Sequence, residues 1–136
     1  MKKGLQETLF EKYPKIFRQK DLPMQQTCMC WGICTGDGWY NIIDTLCHGI
    51  QHRIDWKIKT NSPIEQVEAT QVKEKWGGLR FYYEGGDDYI EGLVSMAEAL
   101  SMTSCINCGI PVEETTRSWN KICPSCEQMR HLSDIA

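Results

Sequence analysis

Two Cys-x-x-Cys pairs near the end of the chain constrain its fold more than any other feature. The first pair is Cys105 and Cys108, the second is Cys123 and Cys126, and fourteen residues separate them. A tight turn of this spacing presents two thiolates to one tetrahedral ion, and four cysteines favour zinc. The separation is one residue below the roughly 15 to 20 typical of such sites. The pattern therefore predicts a C-terminal zinc ribbon that binds one Zn²⁺.

The all-cysteine set also bears on the kind of chemistry to expect. Four thiolates fill a tetrahedral ion and leave no open position for water, so the predicted zinc holds the fold and does not catalyse. A redox interpretation of Cys123-Pro124-Ser125-Cys126 needs a single motif in a βαβ context, and the sequence offers neither. We therefore predict a structural metal whose binding energy is also folding energy.

Cysteine usage further indicates the compartment. The chain has eight cysteines in 136 residues. Glu7, Glu11 and Lys12 interrupt any apolar signal segment near the start, and no run approaches the roughly 18 apolar residues of a membrane span. These features predict a cytoplasmic protein with no membrane partner. In that compartment thiols stay reduced, which favours metal ligands or buried thiols over disulfides.

Four further cysteines leave two interpretations open. They are Cys28, Cys30, Cys34 and Cys47. A second metal site is one interpretation, although the Cys-x-Cys-x₃-Cys spacing is not a standard knuckle. The favoured alternative is that they are structural thiols, since a small thiol packs well in a core.

Hydrophobic periodicity predicts an α+β fold, with two main helices on a small antiparallel sheet. Apolar residues at helical spacing predict one helix from Trp39 to about Ile58, with Asp37 as its N-cap. A second helix follows a capping-box pattern at Asp88-Tyr89-Ile90-Glu91. Between them, Val67–Trp76 and Leu79–Tyr83 flank Gly77-Gly78, which indicates a hairpin.

The remaining segments complete the predicted organisation. Residues 3–18 form an amphipathic pattern interrupted by Pro14, which predicts a helical docking arm. Residues 21–36 lack periodicity and are predicted to be a loop. The chain thus divides into an N-terminal helical arm over 1–20, an α+β core over 21–104, and a zinc ribbon with a terminal helix over 105–136.

The hairpin carries a candidate binding site. It combines four residues able to stack on bases or to meet phosphate: Trp76, Arg80, Tyr82 and Tyr83. Lys73 and Lys75 add charge beside them. The favoured alternative is that the aromatic side chains fill the core while the glycines only form turns.

A third constellation lies on the first long helix. Asp44, His48 and His52 recur at four-residue spacing, with Asp55 beside them, a set that a metal-dependent hydrolase would use. On a helical projection, however, all four fall opposite the apolar stripe. A solvated polar face is therefore the favoured interpretation.

Two stretches of the sequence support a family resemblance. They are Gly36-Asp37-Gly38-Trp39-Tyr40-Asn41-Ile42-Ile43-Asp44 and Val72-Lys73-Glu74-Lys75-Trp76-Gly77-Gly78-Leu79-Arg80-Phe81-Tyr82. Together with the paired cysteine motifs, they make the chain, from about residue 28 onward, resemble small uncharacterised proteins of bacteriophages, prophages and bacteria. The resemblance implies no activity and no catalytic residue. It implies a phage context, in which short accessory proteins act by binding host machinery, defence systems included.

These observations favour a non-enzymatic, zinc-containing binding protein, and the resemblance points to a phage-encoded inhibitor or modulator of a host or defence protein. Exposed aromatic candidates beside mixed charge suit protein contacts. The formal net charge of -3 excludes a global basic field for nucleic acid, so any such contact must be local. The alternatives are a nucleotide or nucleic-acid binding protein and a metal-dependent hydrolase.

Overall fold

The computed structural model describes residues 1–113 and 121–135. Its helices and strands are, in chain order, α1 (Lys3–Lys12), β1 (Ile33–Cys34), α2 (Tyr40–Lys59), β2 (Glu68–Lys75), β3 (Gly78–Glu84), α3 (Asp88–Ser101) and α4 (Pro124–Ile135). This is the predicted α+β class, and α2 and α3 are its two long core helices. None of the helices in the described ranges is long and apolar enough to cross a bilayer.

The sheet is mixed, which corrects the prediction of an antiparallel one. Strands β2 and β3 form the expected antiparallel hairpin. The short β1 pairs with β2 in parallel, with Ile33 opposite Val72 and Cys34 opposite Lys73. Strand β1 lies in the segment predicted to be a loop. The sequence does not predict it, because two residues are too few to show a period-2 alternation.

The hairpin turn lies one residue earlier than predicted. Trp76 and Gly77 occupy it, with φ of 55° and 80°, and Gly78 is already the first residue of β3. Two successive positive φ values match the type I′ turn that joins twisted strands across two residues. The carboxylate of Glu74 accepts a hydrogen bond from the N–H of Gly77 at 2.8 Å and stabilises the turn.

The free edge of β3 is covered by α3. The N–H of Leu79 donates to the hydroxyl of Ser101 at 2.8 Å, and the N–H of Phe81 donates to the carboxylate of Glu98 at 3.0 Å. Ser101 is completely buried. Side chains of a helix therefore satisfy backbone donors that an edge strand would otherwise leave unpaired.

One hydrophobic core joins the helices to the sheet. Its buried members include Ile43, Ile50 and Ile54 from α2, Val72 and Phe81 from the sheet, and Ile90 and Val94 from α3. The N-terminal segment contributes Leu9, Ile16 and Phe17 to the same cluster. This segment, predicted to be a docking arm, therefore packs into the core. The proposed division of the chain at residues 20 and 104 stays a prediction.

Asp44 ties the N-terminal segment to α2. Its carboxylate accepts hydrogen bonds from the ammonium of Lys12 and from the hydroxyl of Tyr13, both at 2.6 Å. Burial raises the pKa of Asp44, but these two donors and their charge outweigh it and hold the pKa below its usual range. The carboxylate is thus an ionised structural anchor.

Both predicted helix caps are shifted. A 3₁₀ turn at Asp37–Trp39 precedes α2, and Asp37 is not its cap, because its carboxylate accepts the backbone N–H of Lys2 at 2.7 Å. At α3 the N-cap is Asp87, one residue before the predicted Asp88. Adjacent acidic residues offer the same capping chemistry, so the sequence pattern alone does not select between them.

The cap assignment predicts an asymmetry between two neighbouring aspartates. Asp87 accepts the N–H of Ile90 at 3.1 Å and pairs with Arg53 at 3.0 Å. Asp87→Ala should lower the free energy of unfolding by about 1 kcal/mol. Asp88→Ala is the matched control and should change it by less than about 0.5 kcal/mol. Urea unfolding measures both, and equal losses would contradict the assignment.

The same cap should make stability depend on acid pH. Burial raises the pKa of Asp87, but the bonds from Ile90 and Arg53 hold it below its usual range. Because the folded-state pKa lies below the unfolded value, the stabilisation is present at neutral pH and is lost as pH falls below about 4.

Candidate metal centre

The four cysteines of the paired motifs converge on one point. The sulfurs of Cys105, Cys108, Cys123 and Cys126 all lie within 4.8 Å of one another, and none is in a disulfide. Cys108 Sγ and Cys123 Sγ are 3.7 Å apart. A zinc ion with Zn–S bonds of about 2.3 Å needs sulfurs about 3.8 Å apart, whereas a disulfide needs about 2.05 Å. The group is therefore a tetrathiolate-like cluster compatible with a metal such as zinc.

The two halves of the cluster are built differently. The first pair lies in a knuckle closed by an isolated bridge between Ser104 and Pro111, in which the N–H of Cys105 donates to Ile110 O at 2.8 Å. The second pair opens α4, so Cys126 lies in the first helical turn. A tight turn was predicted at both pairs. The hairpin expected between them, over residues 109–122, has its central part at 114–120, which lies outside the described residues.

The polarity of the cluster suits a cation. Burial raises the pKa of the Cys105 thiol, but N–H donors, that of Cys123 first, outweigh it and lower the pKa to about 6. A hydrogen bond with Asn107 lowers the pKa of Cys126, but the neighbouring sulfurs together raise it to about 12. Four thiols crowded in this way lose their protons together only when a bound cation offsets the charge.

A close backbone contact fixes the cluster to the core. The N–H of Gly38 donates to Ile106 O at 2.8 Å, and the indole N–H of Trp39 donates to Ser104 O at 3.1 Å. A Cβ added to Gly38 would lie 2.2 Å from the carbonyl oxygen of Cys105. One added to Gly36 would lie 2.2 Å from that of Ile106. Only glycines allow the knuckle to approach this closely.

These docking residues were not predicted as part of the site. The two glycines and Trp39 were visible in the sequence, where Asp37 between them suggested a helix cap. A Gly-x-Gly-aromatic stretch before a helix signals a close backbone approach as well as a turn. The sequence alone did not say which backbone approaches it, since Trp39 and Ser104 are 65 residues apart.

The other four cysteines do not assemble. Cys28 and Cys34 are exposed, Cys30 is partly exposed, and Cys47 is buried within α2. Among the described residues, the only group of metal-ligating side chains is the one at the paired motifs. Burial raises the pKa of the Cys47 thiol well above its usual range, as expected for a packed structural thiol.

The hydrolase constellation does not assemble either. Asp44 is engaged with Lys12 and Tyr13, while His48 and His52 are exposed, with ring centroids 6.3 Å apart. Asp55 accepts a hydrogen bond from Gln51 at 3.0 Å. His48, His52 and Asp55 thus lie on the solvated polar face that the helical projection favours, whereas Asp44 is half-buried against the N-terminal segment.

The hairpin candidates divide between two faces of the sheet. Trp76 in the turn is 62% exposed and Tyr82 is 43% exposed. Arg80 is partly exposed on the same face of β3 as Tyr82. Tyr83 points to the opposite face, where it packs on the core with its ring 6.0 Å from that of Phe81. Three of the four predicted binding residues are thus accessible outside the core.

Comparisons with protein-family models, with curated proteins and with solved structures find no match for this chain.

The cluster predicts one metal ion per chain. Native mass spectrometry should find a single ion of the mass of zinc, lost in Cys105→Ser and retained in the control Cys28→Ser. Chelation should remove the helical circular dichroism of α4, since the second pair opens that helix. A metal count of two, or an unchanged count in Cys105→Ser, would contradict the assignment.

The docking contact predicts opposite effects for two glycines. Gly38→Ala should lower the free energy of unfolding by about 1 to 3 kcal/mol, because its Cβ meets backbone atoms that cannot move aside. On the exposed face of α3, a Cβ at Gly92 has no neighbour within 4 Å. Gly92→Ala should therefore raise the free energy by about 0.5 to 1 kcal/mol. Thermal unfolding of both variants distinguishes the two outcomes.

Proposed function

We propose that this chain is a non-enzymatic binding protein, stabilised by a structural Zn²⁺, that binds another protein through the surface of α2 and α3. The observation that carries the proposal is a row of exposed apolar side chains along these two helices. The four-cysteine group supports the structural role of the metal, because its ligands leave no position open for a substrate.

The row begins in a groove between α2 and α3. The groove encloses about 290 Å³ and is lined mainly by aliphatic side chains, among them Ile42, Leu93, Met96 and Leu100. Met96 is 64% exposed, and Leu100 is also exposed. Apolar side chains are thus exposed to solvent together in this groove.

The row continues towards the other end of the helix pair. A second depression of about 350 Å³ is lined by His52, Arg53, Trp56 and Tyr89. The guanidinium of Arg53 lies 4.6 Å from the ring centre of Tyr89, and Trp56 is 55% exposed. Tryptophan, tyrosine and arginine are the residues that most often dominate protein interfaces.

The shape of this surface favours a helical partner segment. A groove between two helices accepts the apolar face of an amphipathic helix, whose anchors recur every three or four residues. Methionine at the centre adapts to such anchors because its side chain is unbranched and flexible.

The resemblance to small phage and prophage proteins supports a more specific proposal. In that context the partner is a host or defence protein, and this chain inhibits or modulates it in the host cytoplasm. No catalytic chemistry is required for that role, since occupying a surface is sufficient.

The proposal predicts that groove variants lose the partner. Met96→Lys should weaken partner binding by at least about 30-fold, because it places a charge at the centre of an apolar contact. Met24→Lys changes an equally exposed methionine outside the groove and should bind normally. Affinity purification from a host lysate identifies the partner, and titration with that purified partner measures both variants. Unchanged binding by Met96→Lys, or repeated failure to recover a stoichiometric partner, would overturn the proposal.

A further inference from the structure

We infer that the outer face of the β2–β3 hairpin is a second binding site, and that its ligand is single-stranded nucleic acid. The site lies on the sheet and uses none of the residues of the helical groove. It places exposed aromatic rings beside cationic side chains that form no ion pair among the described residues.

The strand register places the relevant side chains together. Along β3, Leu79 and Phe81 are buried, so the alternating residues Arg80 and Tyr82 point away from the core. On β2, Lys73 lies directly opposite Arg80. Residues opposite one another in an antiparallel pair have their side chains on the same face, about 5 Å apart at Cβ. Two cations and an aromatic ring therefore share one face.

The cationic side chains of this face do not form ion pairs with the acidic residues that the structure describes. None of the ion pairs found among the described residues involves Lys73, Lys75 or Arg80. The guanidinium of Arg80 donates to Leu79 O at 3.0 Å, which uses one of its five N–H donors. The face is thus a local concentration of positive charge in a chain whose net charge is -3.

The acidic groups of the hairpin lie away from the turn end of the outer face. Glu74 pairs in register with Leu79, on the core side of the sheet, and its carboxylate accepts the N–H of Gly77. Glu84 shares the outer face but lies at the far end of β3, opposite Glu68. Positive charge is therefore greatest at the turn end, where Trp76 is located.

Trp76 is the observation that points to a ligand. It occupies the first central position of a type I′ turn with φ of 55°, where asparagine or glycine is strongly preferred. A bulky side chain in the left-handed region is strained, and strained residues are enriched at functional sites. The Trp76 side chain is 62% exposed, which leaves much of its surface accessible to a base.

These features together match the chemistry of a single strand. Unstacked bases stack on exposed tryptophan and tyrosine rings, while lysine and arginine contact the phosphates between them. The face presents cations beside aromatic rings, in contrast to the apolar groove between the helices. A strand that presents alternating rings and anionic groups fits it better than the apolar face of a helix does.

Fluorescence anisotropy with labelled oligothymidylate and oligouridylate of about 12 nucleotides tests the inference. The metal-loaded full chain should bind at low salt. The logarithm of its affinity should fall against log salt with a slope near -2, the value for about three phosphate contacts on a single strand. Arg80→Gln should reduce that slope by about 0.7. The DNA and RNA arms show which sugar the site prefers.

The decisive variant is Trp76→Asn, because it should separate binding from folding. Asparagine suits the turn, so the protein should stay folded, whereas its affinity for the oligonucleotide should fall about 5-fold to 150-fold. Trp56→Gln, which changes a comparably exposed tryptophan on α2, is the control and should bind the oligonucleotide with unchanged affinity. If Trp76→Asn keeps the cooperative thermal unfolding of the unmodified protein but binds the oligonucleotide worse, misfolding does not explain the loss of binding.

Three results would overturn the inference. They are no binding by the unmodified protein at low salt, equal losses in Trp76→Asn and Trp56→Gln, and loss of a protein partner in Trp76→Asn when no oligonucleotide binds. Met96→Lys should keep its oligonucleotide binding, so failure of the groove proposal and failure of this one are distinguishable.

Discussion

The backbone contact between Gly38 and the knuckle at Cys105–Gly109 is the constraint on which the rest of the structure depends. The N–H of Gly38 donates to Ile106 O, and a Cβ on Gly38 would clash with the carbonyl of Cys105. Since α2 begins two residues later, at Tyr40, this contact sets the position of the metal cluster relative to the core. The four-cysteine cluster therefore lies in a segment that is already coupled to α2.

Much of this architecture was predictable because local patterns carried it. The apolar stripe that begins near Trp39 defines α2, and two Cys-x-x-Cys pairs define the cluster, since both signals are complete within a few residues. Strand β1 was missed because it consists of only Ile33 and Cys34 and depends on β2 for its pairing. Packing of Leu9 into the core was not predicted for a similar reason. The amphipathic pattern shows that one face of the helix is apolar, but it does not identify the surface against which that face packs.

The candidate site follows the same division. The ligands could be read from spacing, but the residues that hold the knuckle could not, because Trp39 meets Ser104 across 65 residues of sequence. At the hairpin, the residue types suggested a shared surface for Trp76, Arg80, Tyr82 and Tyr83. The face of the sheet on which each side chain lies is known only from the strand register. In that register Tyr83 points to the core and Tyr82 is exposed to solvent.

The edge of β3 that α3 covers limits how another chain can bind to the sheet. Ser101 and Glu98 accept the N–H groups of Leu79 and Phe81, so an extended chain that approached this edge would find those donors already occupied. Strand addition, the route by which many small sheets recruit peptides or aggregate, is therefore closed on that side. Recognition is left to side chains on the two faces of the protein, where substitutions retune specificity without disturbing the backbone ladder.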